Sequence, residues 1–72
     1  MIQAHYEKLP KSTGGGMGRG DEIIVDPRLG LEKRRITALH EVLETRCPTI
    51  PHEQIDIICI DQADVLYQLG LW

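Results

Sequence analysis

The residues best suited to chemistry lie in one stretch, "TALHEVLETR", residues 37–46. His40 and Glu44 stand four positions apart, and Glu41 adjoins the first of them. On an α-helix, residues four apart lie one turn above each other on the same face. An imidazole and a carboxylate so placed can reach a single metal ion. Zinc accepts both donor types; in a catalytic site it usually takes three protein ligands and keeps a fourth position for water. A carboxylate beside such a site can act as general base, which is the place Glu41 occupies. Without a metal, the same residues make an ordinary amphipathic helix, with Glu41 and Glu44 in solvent and His40 half-buried.

A third ligand must come from elsewhere in the chain. "IPHEQID", residues 50–56, offers His52, Glu53 and Asp56 at the start of a second helix. His52 falls one turn ahead of Ile55 and Asp56, on the border of that helix's apolar face, whereas Glu53 points further away. The expected metal ligands are therefore His40, Glu44 and His52, with Glu41 as the catalytic base. The ion would be zinc or another divalent metal.

Two helices are needed to hold these residues. Ile36, Leu39, Leu43 and Cys47 recur at spacings of three and four, an apolar stripe that predicts a helix over 31–47, stopped by Pro48. His40 and Glu44 lie along one border of that stripe. Pro51 suits a first helical position, with Thr49 or the backbone near Ile50 as cap and Glu53 and Asp56 as acids in the first turn. Ile55, Ile58, Cys59, Leu66 and Leu69 share one face, and Gly70 reads as a C-terminal stop. "IDIICI" is rich in β-branched residues and has strand character, but a continuous helix accounts for the longer pattern.

Upstream, residues 2–9 read as a short strand, and "EIIV", Glu22 to Val25, as another, closed by Asp26-Pro27. Between them, residues 10–21 hold five of the chain's seven glycines and read as a flexible loop without regular structure. It is not a phosphate-binding loop, because no Gly-Lys-Ser/Thr sequence opens a helix after it. The two strands would then form a hairpin around a long glycine loop. The predicted fold is α+β: a short β-hairpin or minimal sheet followed by two packed antiparallel helices, in one domain over 1–72.

Composition bounds the rest. The chain has 72 residues, 42% of them hydrophobic and almost none aromatic, so its core must be aliphatic. Domains of this size are marginal unless a metal, a disulfide or a partner helps. With a net charge of −3, nothing suggests an electrostatic nucleic-acid binder, which needs a basic surface. The cluster Lys33, Arg34 and Arg35 reads as a solvated helix face. Cys47 and Cys59 lack zinc-finger spacing and read as small buried residues. No apolar tract approaches the length of a membrane span, and no signal peptide is evident, so a cytoplasmic protein is expected. The C-terminal "LYQLGLW" could anchor a peptide or protein partner, or a homodimer through the second helix and Trp72. Alternatively, Trp72 folds back on the core.

The order of these segments resembles a known family. "EIIVDPRL", then "KRRIT", then "ALHE", then "HEQIDIICIDQADVLYQL" is similar to the small zincin-like metallopeptidases related to the ImmA/IrrE family, including short phage-encoded versions. The resemblance covers roughly residues 20 to 69. It implies a gluzincin site, in which a helix carries H-E-x-x-H and the next helix supplies a glutamate. His40 matches the first zinc ligand and Glu41 the catalytic base. Glu44 stands where the second histidine belongs, and His52 or Glu53 stands where the glutamate of the second helix belongs. If His52 is the match, the ligand types have exchanged places, giving H-E-x-x-E with a distant histidine. Such peptidases hold a substrate in extended form against the edge strand of a sheet, and the short chain gives little sign of a substantial one. The expectation is a zincin-like minidomain, metal-binding and hydrolytic. Its rivals are a non-catalytic binding or regulatory module of the same fold and a structural miniprotein without metal.

Overall fold

A computed structural model describes residues 1–72. Three short strands precede two helices: β1 (Gln3–Tyr6), β2 (Gly16–Arg19), β3 (Glu22–Val25), α1 (Leu31–Arg46) and α2 (His52–Gln68). The arrangement is α+β, with one three-stranded sheet and two packed helices. Both helices match the apolar periodicity closely. Cys47 caps α1 through its backbone, and Pro51 lies one residue ahead of α2 as its N-cap, with no side-chain cap from Thr49.

The sheet differs from the expected hairpin in two ways. Its order is β1-β3-β2, with β1 parallel and β2 antiparallel to β3. The glycine-rich run is also not a featureless loop. Lys11–Thr13 form a 3-10 turn, and Gly16–Arg19 form a strand. Arg19 pairs with Glu22, so Gly20 and Asp21 make a two-residue hairpin turn, with Gly20 first at φ +58°. That is the place where such turns favour glycine, because an L side chain resists positive φ.

The glycines of β2 have a second use. A Cβ on Gly16 would lie 2.5 Å from Thr37 Cγ2, and one on Gly18 would lie 2.6 Å from Thr45 Oγ1. Thr37, Glu41 and Thr45 follow one another at helical spacing, so β2 lies directly on this ridge of α1. Only a strand without side chains on that face can come so close. The central strand supplies most of the core: Ile23, Ile24 and Val25 are all buried, joined by Leu9, Ile55 and Cys59. The helix α2 packs on α1 rather than on the sheet. Of its expected apolar face, Ile55 and Cys59 are buried, Ile58 and Leu66 are half-buried, and Leu69 is exposed.

A polar clasp fixes the chain entering the sheet. Asp26 Oδ2 accepts the Leu9 N–H at 3.0 Å, and Oδ1 accepts the Arg28 N–H at 2.9 Å. The Arg28 guanidinium donates to Asp26 at 2.6 Å and to the Leu9 carbonyl at 2.8 Å. The hydrogen bond from Arg28, followed by those from the Leu9 and Arg28 backbones, holds the Asp26 carboxyl far below the usual carboxylate range. Arg34 and Arg35 are not simply solvated. Arg34 lies over the Tyr6 ring at 5.7 Å, and Arg35 lies over Trp72 at 5.1 Å. Trp72 therefore folds back onto α1 and is half-buried.

Candidate metal centre

The cluster forms where α1 and α2 run antiparallel after the short connection over 47–51. Helical spacing puts His40 and Glu44 on the side of α1 that faces the start of α2, and it puts His52 and Asp56 on the opposing side of α2. The four side chains close a ring. His40 Nε2 meets Glu44 Oε1, and the same oxygen lies 3.1 Å from His52 Nδ1. Asp56 Oδ1 lies 3.1 Å from His40 Nδ1, and its other oxygen lies 3.9 Å from His52 Nε2. The two imidazoles meet edge to face, with centroids 4.6 Å apart. The His40 side chain is 15% exposed and that of His52 is 68% exposed, so the ring spans from the protein wall to solvent.

The expected residues His40, Glu44 and His52 are thus in pairwise contact, while the close donor groups place His52 with His40 and Asp56, and Glu44 with His40 and Glu41. Glu53 is exposed and takes no part in the cluster. Asp56, one turn beyond His52, contacts both histidines. The signal for it was present in the sequence as an i, i+4 pair with His52. Two donor sets share His40: His40, His52 and Asp56 form one, and His40, Glu41 and Glu44 form the other, with ligand atoms within 4.8 Å of one another in each.

Glu41 is not the solvated residue that an ordinary amphipathic helix would give. It is 8% exposed, covered by β2, with its side chain against Gly16 and Gly18. Burial, and then the neighbouring Glu44 charge, push its carboxyl up, while His40 and His52 oppose the shift. Burial also pushes up the Cys59 thiol, with Asp56 and Glu44 adding to it. Cys59 is wholly buried, Cys47 is only half-buried at the end of α1 where burial was expected, and both are free.

Glu41, His40, Glu44 and His52 share the wall of a cleft of about 490 Å³ with Thr37 and the glycines of β2. The far side of this cleft is an edge strand, because β2 is last in the sheet. The chain therefore does possess a strand edge beside the cluster, hidden in the glycine-rich run. No model of a known protein family, no curated protein and no solved structure matches this chain. No helix is long and apolar enough to cross a membrane.

Proposed function

We propose that this chain is a zincin-like minidomain that binds a divalent metal ion, zinc first among them, and hydrolyses peptide bonds. The observation that carries the reading is the convergence of His40, Glu44, His52 and Asp56 from two helices beside the buried Glu41. Two imidazoles and a carboxylate are a donor set that zinc favours. Three carboxylates, those of Glu41, Glu44 and Asp56, gather round two imidazoles in so small a space that a cation is the natural counter-charge. His40, Glu44 and His52 would hold the ion. Asp56, on the other nitrogen of the His40 ring, would orient that ring, as carboxylates commonly do for metal-bound histidines.

A zinc ion in this place supplies Lewis-acid polarisation of a substrate carbonyl. The chain's own residues supply the rest. Glu41 stands in the cleft wall beside the ligands, where a general base takes a proton from water and returns it to the leaving amine. Its raised proton affinity suits it to hold that proton. The open edge of β2 offers backbone groups along which an extended peptide can lie. A second reading, a metal-binding module without catalysis, is favoured by the exposed Ile57, Ile60 and Tyr67 on α2.

Hydrolysis of casein or a fluorogenic peptide by the zinc-loaded chain separates the two. Cleavage should fall at least a hundredfold in Glu41→Gln with bound zinc left in place. Zinc binding without any cleavage would transfer the assignment to the binding module.

A further inference from the structure

The sheet has a second open edge, and β1 forms it. Gln3 and Glu7 donate their N–H groups towards β3, to the carbonyls of Asp21 and Val25. Successive backbone groups alternate in direction along a strand, so Ala4 and Tyr6 turn theirs to the open side. All four residues of β1 are exposed. Between this edge and the first two turns of α1 lies a pocket of about 310 Å³, walled by apolar side chains including Val25, Leu31 and Ala38, with Arg34 and Arg35 at its border. It shares no residue with the metal cluster.

Two arginines line this groove. Neither forms an ion pair with any carboxylate of the chain, whereas Arg19, Arg28 and Arg46 each do. Their only organised partners are the Tyr6 and Trp72 rings. Arg34 Nε is moreover buried with no hydrogen-bond acceptor. In a chain of net charge −3, two guanidiniums without a counter-ion at the border of an apolar pocket call for an anion attached to an apolar group.

We propose that this groove binds the C terminus of an extended peptide. The peptide adds to the open edge of β1 through the backbone groups of Ala4 and Tyr6. Its last side chain, apolar, fills the pocket, and its terminal carboxylate accepts hydrogen bonds from Arg34 and is neutralised by Arg34 and Arg35. Strand addition supplies affinity, and the pocket and arginines supply specificity. The site is independent of the metal centre and stands or falls without it.

The test is titration of the metal-free chain with three probes: an N-acetylated tetrapeptide ending in valine, the C-terminal amide of the same peptide, and hexanoate. Amide chemical shifts and Trp72 fluorescence report binding. The acid peptide should saturate, moving the amides of Ala4 and Tyr6, with the amide form and hexanoate each at least tenfold weaker. Arg34→Gln should cost a further tenfold or more. Ala4→Pro provides a second variant that spares the pairing with β3, since it removes only an outward N–H. It should abolish binding with the circular dichroism spectrum unchanged. Equal affinity for acid and amide, hexanoate binding as tightly as the peptide, no saturable binding at millimolar peptide, or full affinity in Ala4→Pro would each overturn the proposal.

Discussion

Replacing Gly16 with alanine should force β2 away from α1. The new Cβ would lie 2.5 Å from Thr37 Cγ2 and 3.0 Å from Glu41 Cγ and Oε2. Carbon atoms rest about 3.5–4.0 Å apart, so the strand or the helix must give way by about 1 Å. Thr37 is β-branched and stiff on a helix, and Glu41 is held under the strand, so neither moves cheaply. Over-packing of this kind costs about 1–3 kcal/mol. A 72-residue domain is worth only about 4–11 kcal/mol in all. Each kcal/mol lost lowers the melting temperature by about 4–8 °C in a domain of this size. Thr37→Ala removes the nearest atom but leaves Glu41, so the double variant should recover part of the loss, with a coupling of about 1 kcal/mol. Urea unfolding of the four proteins, followed by circular dichroism, measures the whole cycle. Gly16→Ala unfolding at the wild-type midpoint, or at the same cost with and without Thr37, would refute the close packing of strand on helix.

Two further predictions concern charge and pH in the metal-free chain. The Asp26 carboxyl is held low by Arg28 and the backbone N–H groups. Its stabilisation is therefore complete above the ordinary carboxylate range, about pH 4, and is lost as pH falls below it towards the folded value. Asp26→Asn should lower the urea midpoint at neutral pH and flatten its fall below about pH 4. Glu41 has the opposite sign: its carboxyl is pushed up, so its folded state gives up stability as pH rises above the ordinary glutamate range. Glu41→Gln should therefore raise the urea midpoint at neutral pH, with the difference vanishing in acid, although the same change removes the proposed base.

The helices and most of the cluster were legible because helical periodicity is local. Four-residue spacing places His40 with Glu44, and Pro51 fixes the start of α2, so His52 could be pointed at them. Glu53 was distinguishable from His52 by the same wheel. What escaped depended on contacts distant in sequence. β2 reads as a loop because glycine has low strand propensity, and only the nearness of Thr37, Glu41 and Thr45 explains why glycine is required. The Gly20-Asp21 turn was the one local hint of a hairpin there. The parallel pairing of β1 follows from β2 taking the other edge of β3, which no pattern within β1 could reveal. The Asp26–Arg28 clasp binds Leu9, seventeen residues earlier than Asp26, and so read only as a turn. Burial of Glu41 likewise comes from a strand whose existence the sequence concealed.

The proposed binding of a metal ion by His40, Glu44 and His52 is open to direct measurement. Its most direct test is the zinc content of the purified chain after equilibration with zinc and removal of the free ion, measured by mass spectrometry. The wild type should retain one zinc per chain and gain thermal stability from it. His40→Ala and His52→Ala should retain none, and Glu53→Ala should retain the full complement. A wild-type chain that holds no zinc and shows no thermal shift on its addition would contradict the account, as would stoichiometric zinc that survives His40→Ala.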